Sequence, residues 1–258
     1  MNVVQKSVSC QPKIEESQAH PLDRLASPLS KSPVQPVNSV VSQSTDSAMP
    51  MREWYMLCDA SSALPVLVRH CPRAHPSRTT LEAFISTVYF SAHKASLNAF
   101  MPDLFAIYDH QKQPAAAVGL RRIRSAPIFL EQYLDAPIET LIRDMTDQSV
   151  VRERIAEVGN LGAISAGAGR QLIAFLVYHL SGSGVDWAVC TGTNAVRASL
   201  CRMGVAFEFI VEADPERLGE DQHNWGSYYQ NNPIVIAVDI RKAAAALSDH
   251  YDYAAGAR

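Results

Sequence analysis

The sequence has no stretch that is long and apolar enough to suggest a membrane protein. Its 258 residues contain no run of about 18 consecutive apolar residues, so we predict no transmembrane helix. The N-terminal segment MNVVQKSVSCQPKIEESQ has no apolar core of signal-peptide length. We therefore expect a cytoplasmic protein without stable membrane insertion.

Cysteine is scarce, and its spacing fits neither a disulfide scaffold nor a zinc site. The five cysteines are an odd number and include no CxxC pair. No cluster of His, Asp and Glu has the spacing of metal ligands either. We expect no bound metal, and the cysteine usage fits a reducing compartment.

Positive charge is also in short supply. The net charge of −3 leaves no overall basic field for nucleic acid. The one basic run, GLRRIRSAP, contains Arg121, Arg122 and Arg124. It is either a solvated strand edge or a docking patch for an acidic carrier protein.

Composition divides the chain near residue 50. Residues 1–50 are rich in Ser, Pro and Gln with only scattered apolar residues, so we predict a disordered tail. Residues 51–248 are predicted to form a single domain, and residues 249–258 a flexible C-terminus.

Strand and helix patterns in this domain predict an α/β protein of the α+β type. The predicted strands cover 63–71, 103–109, 113–123, 154–161, 186–193, 204–214 and 233–240, and the predicted helices cover 76–97, 136–145, 169–180 and 194–203. A hairpin comes before the alternating strands and helices. This order predicts a mixed sheet with helices on both faces.

Four of the 12 glycines lie between residues 159 and 169, where a strand gives way to a helix. The segment GAISAGAG ends in Gly167, Ala168 and Gly169, and Arg170 follows. Free N–H groups of the first helical turn could bind a phosphate there, with Arg170 adding charge. The alternative is a turn whose glycines allow close packing of helix on strand.

This order of strand, glycine loop, helix, strand and Asn-started helix resembles the GNAT superfamily of acyltransferases. The resemblance implies a centrally splayed sheet, with a phosphopantetheine arm lying between strands 154–161 and 186–193. Acyl-CoA or acyl-phosphopantetheine would then be a co-substrate, with no tightly bound cofactor. Besides the glycine loop, the implied donor-binding residues are Gly159, Asn160, Leu161 and Asn194.

A second resemblance covers about residues 69–240. FMPDLFAIYD, PIFLEQYLDAPIE, RIAEVGNLGA and WGSYYQNNP are similar to segments of the thermostable hemolysin family, which is related to GNAT enzymes and acyl-homoserine-lactone synthases. This implies an N-acyltransferase that moves an acyl group from an acyl-carrier-protein or acyl-CoA thioester to a small amine. Two other classes stay open: a membrane-active lytic protein, and a GNAT-like binding module without catalysis.

Glu157 is the first candidate for the base that aminolysis of a thioester needs. Period 2 in IAEVGNL places Glu157 and Gly159 on one strand face. A carboxylate in an apolar strand is costly unless it is paired or lies in a cleft, where desolvation would raise its pKa. The alternative is a salt bridge to an arginine such as Arg121 or Arg122. The Gly159–Asn160 pair either bulges the strand, directing an N–H at the thioester carbonyl, or ends it.

Three further side chains are candidates for the chemistry. Glu131 is the second candidate base, in a segment that either lines an amine pocket or forms a surface turn. Tyr228 and Tyr229, in the loop WGSYYQNNP, could give the leaving thiolate its proton. Their alternative role is to pack this loop onto the core.

Overall fold

The computed structural model describes residues 54–59, 66–124 and 126–254, so the predicted tail, residues 1–50, lies outside the described residues. Within those ranges nine strands form one sheet. The strands are β1 (Trp54–Asp59), β2 (Val66–Pro72), β3 (Asp103–Tyr108), β4 (Pro114–Arg122), β5 (Ile155–Ala163), β6 (Trp187–Gly192), β7 (Glu208–Glu212), β8 (Ile234–Asp239) and β9 (Tyr251–Ala254).

The sheet is mixed, as the strand and helix patterns predict. Its order is β7–β8–β6–β5–β4–β3–β2–β1–β9. β5 and β6 run parallel, and the other neighbouring strands run antiparallel. The parallel pair therefore lies near the middle of the sheet, flanked by antiparallel strands.

Helices cover both faces of this sheet. α3 and α5 share a core cluster with Phe105, whereas α1 packs over Leu104 and α2 over Ile155 on the opposite face. Phe105 and Leu104 face different helices because successive residues of a strand alternate between faces. None of the helices in the described ranges is both long and apolar enough to cross a membrane. The α-helices are α1 (Arg78–His93), α2 (Ile138–Thr146), α3 (Ala166–Gly182), α4 (Asn194–Arg202) and α5 (Ile240–Leu247).

The first helix is shorter than its apolar pattern predicts. The pattern extends over 76–97, but α1 ends at His93. Lys94 adopts the left-handed conformation with φ of 57°, and its N–H donates a hydrogen bond to the Phe90 carbonyl at 2.9 Å. Because α1 ends here, the residues that follow are not helical and cross the sheet.

The folded domain extends beyond residue 248. β9 pairs antiparallel with β1, and the sequence patterns predict neither strand. The prediction of a flexible C-terminus is therefore wrong for residues 251–254, and residues 255–258 lie outside the described ranges. The pairing of β9 with β1 depends on contacts between distant parts of the chain, which a local pattern does not contain.

Candidate active site

The two parallel strands in the middle of the sheet separate along their length. β5 pairs with β6 only as far as Val158, opposite Cys190. β5 then continues to Ala163 and β6 to Gly192 without further pairing between them. The splayed sheet implied by the GNAT resemblance is confirmed, and the facing backbone edges are open to a ligand.

A β-bulge marks the place where β5 leaves β6. Gly119 of β4 pairs with Gly159, while Ala117 pairs with Gly162, so β5 has one extra residue between these pairs. Asn160 lies in this extra length with φ of 51°, a conformation that asparagine adopts more readily than most residues. Of the two alternatives for the Gly159–Asn160 pair, a bulge and a strand end, the structure has the bulge.

A cavity of about 280 Å³ passes through the sheet at this gap. On the face of α1 and α2 it is lined by Glu157, Arg121 and Tyr228. Its volume lies near the lower end of the range for small-molecule sites, about 300–1,000 Å³. On the face of α3 its lining is apolar and includes Leu176, Val177, Leu180, Leu200, Val238 and Ile240.

Glu157 lies at the polar side of the cavity and is only 2% exposed. Its Oε1 accepts a hydrogen bond from the Leu130 N–H at 3.0 Å. Its Oε2 lies 3.4 Å from Arg121 Nη1 and accepts no hydrogen bond within the described part of the chain. Burial raises the pKa of this carboxyl, and the opposing effects of the Leu130 N–H, Arg121 and the Phe129 backbone do not cancel the rise. Glu157 thus combines the two environments that its sequence pattern left open, a cleft and an arginine neighbour.

Arg121 directs its guanidinium into the same cavity. Its side chain is 35% exposed, and Glu157 is its one ion-pair or hydrogen-bond partner among residues 54–59, 66–124 and 126–254. Because a guanidinium carries five N–H donors, most of them are available to a ligand. An anionic group could therefore bind next to Glu157.

The predicted carrier-docking residues do not form one surface. Arg121 faces the cavity, whereas Arg122 donates a hydrogen bond to the Ser183 carbonyl beyond α3. Arg124 is exposed beyond the end of β4. In the register of β4 and β5, Arg122 lies opposite Ala156. At about 3.3 Å per residue, Ala156 is roughly 20 Å along β5 from Gly162, where the segment GAISAGAG begins. The different surroundings of Arg121 and Arg122 follow from the alternation of strand residues between faces, and a carrier-docking role for the three arginines stays a prediction.

Tyr228 and Tyr229 have different surroundings. Tyr228 is buried in the cavity wall, and its hydroxyl donates to the Thr191 carbonyl at 3.3 Å, in the part of β6 that no longer pairs with β5. Burial raises its pKa well above the ordinary value, so the hydroxyl stays protonated. The Tyr229 hydroxyl is instead hydrogen-bonded to that of Tyr133 at 2.6 Å and lies outside the cavity lining. The structure thus brings Tyr228, but not Tyr229, to the cavity with Glu157.

Glu131 lies outside this cavity, in the short 3₁₀ helix Phe129–Tyr133. Arg152 donates to both of its carboxylate oxygens, at 2.7 and 2.9 Å. The backbone N–H groups of Ile128 and Ile138 add hydrogen bonds of 3.0 and 3.2 Å. Burial alone would raise the pKa of Glu131, but these hydrogen bonds outweigh it and lower the pKa. This environment argues against Glu131 as a second base.

Gly167, Ala168 and Gly169 form the first turn of α3 and not a loop before it. The helix begins earlier than predicted because the Ser165 hydroxyl oxygen accepts a hydrogen bond from the Ala168 N–H at 3.2 Å. The Gly169 N–H bonds to the Ser165 carbonyl at 3.1 Å. Two of the expected phosphate donors are therefore occupied, which leaves the N–H groups of Ala166 and Gly167 at the exposed helix start.

Of the three remaining predicted donor-binding residues, Leu161 lines the cavity, whereas Arg170 and Asn194 lie outside its lining. Arg170 follows the glycines in the first turn of α3 and is half-buried. Asn194 is the first residue of α4, and its side-chain oxygen accepts a hydrogen bond from Arg197. Both stand near helix starts, the places where a phosphate would bind, and their role in binding stays a prediction.

One wall of the cavity escapes sequence analysis altogether. The wall segment, residues 96–101, crosses the sheet after α1 and lines the cavity. Asn160 holds it in place, because its Oδ1 accepts a hydrogen bond from the Met101 N–H at 2.8 Å. An asparagine that follows a glycine is compatible with a left-handed residue, but no sequence signal identifies a partner 59 positions away.

Comparisons with known proteins identify the family. The thermostable hemolysin family matches residues 71–244, more than half of the chain, and the chain belongs to this family. No curated protein matches the sequence.

Several solved structures, among them an acyl-homoserine-lactone (AHL) synthase, are similar in fold. The AHL synthase LasI superposes with a TM-score of 0.50 and 11% identity, covering 75% of this chain and 98% of its own. FeeM, an N-acyl amino acid synthase from uncultured soil microbes, gives 0.49 and 9%, covering 71% and 97%. TofI in its apo form gives 0.47 and 13%, covering 72% and 97%. At such low identity the likeness to LasI shows a shared fold, and the predicted GNAT-like class is confirmed.

Proposed function

We propose that this protein is an N-acyltransferase that moves an acyl group from a phosphopantetheine thioester to an amine. The observation that carries the proposal is the gap between β5 and β6 beyond Val158, with Glu157 beside it in a cavity that crosses the sheet. Aminolysis needs a slot for the thioester, donors for the developing oxyanion and a base for the amine. The gap provides the slot, its open strand edges provide the donors, and Glu157 beside it provides the base.

The open edges of β5 and β6 are the proposed site of the pantetheine arm. The arm is an extended chain with amide groups, so it can pair with strand edges much as an added strand does. Its thioester end then lies near Val158 and Cys190, where the ladder stops. Its phosphate end lies toward the start of α3, where the N–H groups carry partial positive charge. CoA and acyl carrier proteins present the same arm, so both are candidate donors.

The apolar side of the cavity is the proposed site of the acyl chain. Side chains of α3, α4 and β8, including Leu176, Leu200 and Val238, surround this space. Each buried CH₂ group contributes roughly 0.8 kcal/mol to binding. We therefore expect donors with medium or long acyl chains to react faster than acetyl donors.

Glu157 is the proposed general base, and Tyr228 the proposed acid. The amine nitrogen attacks the thioester carbonyl carbon and loses a proton to the Glu157 carboxylate. The C–S bond of the tetrahedral intermediate then breaks, and the Tyr228 hydroxyl protonates the leaving thiolate. Return of the Glu157 proton to Tyr228 through water restores the enzyme, so that one neutral amine and one thioester give one amide and one thiol.

Arg121 is the proposed anchor for an anionic group of the acceptor. Its guanidinium is adjacent to Glu157 and has donors to spare. Guanidinium groups bind carboxylates in a fixed, two-point geometry. An amine that also carries a carboxylate, such as an α-amino acid, would place its nitrogen at Glu157 and its carboxylate at Arg121.

Direct assay of the purified protein tests this function. Octanoyl and palmitoyl thioesters of CoA and of an acyl carrier protein are supplied with a pool of amines and amino acids. Free thiol is measured with a thiol-reactive dye, and amides by mass spectrometry. We expect thiol and amide in equal amounts. Thiol without amide would indicate hydrolysis, and the absence of both with every donor would contradict the proposal.

A further inference from the structure

Two glycines face each other across β4 and β5, beside the Glu157–Arg121 pair. Gly119 is the register partner of Gly159, and Arg121 is that of Glu157. The two pairs follow one another on the same face, about 7 Å apart along the strands. Neither glycine has a positive φ, so the backbone conformation does not explain the choice of glycine. The reason must be the space above them.

Met101 fills that space. A Cβ atom added to Gly119 would lie 2.6 Å from the Met101 Cβ, and one added to Gly159 would lie 2.8 Å from its Cε. Carbon atoms cannot come this close to each other, so a Cβ atom at either glycine would require the Met101 side chain or the backbone to move. The Met101 side chain therefore lies flat over the glycine pair, and it lines the cavity together with Glu157 and Arg121.

The backbone of Met101 is held from two sides. Its N–H donates to Asn160 Oδ1 at 2.8 Å, and its carbonyl accepts from Arg78 Nη2 at 2.6 Å. Arg78 is buried, and its Nη1 also donates to the Pro102 carbonyl at 2.9 Å. With the main chain fixed, only the torsions of the flexible thioether side chain can adapt to a ligand.

We propose that Met101 sets the size of the acceptor that reaches Glu157. The inference rests on the proposed N-acyltransferase function. An acceptor must bring its amine to Glu157 on this face, and Met101 closes the space immediately beyond, over the glycine pair. A small acceptor packs against the thioether, whereas a larger one collides with it. Asn160 is a positioning residue that acts through Met101.

Met101→Ala tests the size limit directly, because it removes the Cε atom that lies over Gly159 and opens a slot there. We expect kcat/KM for a bulky acceptor, relative to a small one, to rise about 10-fold or more, the scale on which pocket size discriminates between substrates. The control is Met145→Ala, since Met145 is exposed on α2. It should leave this ratio unchanged. An unchanged ratio in Met101→Ala itself would overturn the proposal.

A double-mutant cycle tests the packing without any assay of activity. Gly119→Ala should lower the Tm of the wild type by about 4 °C or more, because the new Cβ collides with Met101. The same substitution should cost clearly less in a Met101→Gly background, because glycine removes both Met101 atoms that the new Cβ would meet, whereas alanine would keep the Met101 Cβ. Equal losses in both backgrounds would overturn the packing on which the inference depends. If the substitutions at Gly119 and Met101 are coupled as expected but the protein transfers no acyl group from any donor, the proposed function is overturned. The acceptor role of Met101 is then overturned with it.

Discussion

Glu131 and Glu157 are both largely shielded from solvent, but they differ in the number of hydrogen-bond donors around their carboxylates. Glu131 receives two hydrogen bonds from Arg152 and one each from two backbone N–H groups. One oxygen of Glu157 receives no hydrogen bond in the described part of the chain, and its arginine neighbour is 3.4 Å away. Burial raises the pKa of Glu157, whereas donors outweigh burial at Glu131 and lower its pKa. The donors, and not burial alone, decide whether a withdrawn carboxylate is a fixed anion or a usable base.

The largest expected effect comes from Glu157→Gln. We expect turnover to fall about 10²–10³-fold, as is usual when a general base is lost. The fold should persist, because glutamine keeps the shape and an acceptor for the Leu130 N–H. Steady-state rates of amide formation measure the loss. Glu131→Gln is the matched control and should keep a rate near that of the wild type, so equal losses in the two variants would remove the distinction between them.

Tyr228→Phe should have the next largest effect. It removes the hydroxyl proposed to protonate the leaving thiolate, and we expect roughly 10–10²-fold slower thiol release. Tyr229→Phe serves as the control, since that hydroxyl is paired with Tyr133 outside the cavity lining. Rapid-mixing measurement of thiol release compares the two variants. A larger loss for Tyr229→Phe would reverse the assignment.

Arg121→Gln extends the comparison to the cation beside each carboxylate. Arg152 forms ion pairs with Glu131 and Glu139, whereas most N–H donors of Arg121 are available to a ligand. We expect the wild type to prefer an amino acid over its decarboxylated amine, and Arg121→Gln to reduce that preference about 10-fold. Competition between the two acceptors, read by mass spectrometry, gives the ratio. A wild type without such preference would show that Arg121 binds no carboxylate.

The smallest effect concerns stability and its dependence on pH. Because the pKa of Glu131 is lowered, its stabilising contribution is present above the ordinary carboxyl pKa of 4.5 and is lost as the pH falls below it. Glu131→Gln should therefore destabilise the fold by about 1 kcal/mol at pH 7 and by less in acid.

Glu157 should change the stability with pH in the opposite direction, because its raised pKa makes the folded state less stable as the pH rises from 4.5. Glu157→Gln should remove that loss, and urea unfolding at several pH values measures both.

The sequence distinguishes these two glutamates only in part. Glu157 stands out because a carboxylate interrupts an apolar strand pattern, and that signal is local. The state of Glu131 depends on Arg152, which is 21 residues away and is brought close by the fold. A local pattern contains no such partner, so the sequence keeps Glu131 as the second candidate base.

The same limit applies to the cavity. The splayed parallel pair is implied by the resemblance to GNAT enzymes that this order of strand, glycine segment, helix and strand carries, and the Gly159–Asn160 pair allows either a bulge or a strand end. The role of Asn160 toward the wall segment is not predictable, because residue pairs that meet across a sheet leave no periodic trace. In the arginine run, strand alternation does predict that Arg121 and Arg122 face opposite sides, but it does not say which of them faces the cavity.

Titration of the individual glutamate carboxyls tests the central claim most directly. Carbon-13 NMR of glutamate-labelled protein follows each carboxyl, and Glu157→Gln and Glu131→Gln identify the two resonances. The account predicts that Glu157 titrates above the ordinary value of 4.5 and Glu131 below it. A Glu157 carboxyl that titrates at or below 4.5 would contradict its assignment as the base.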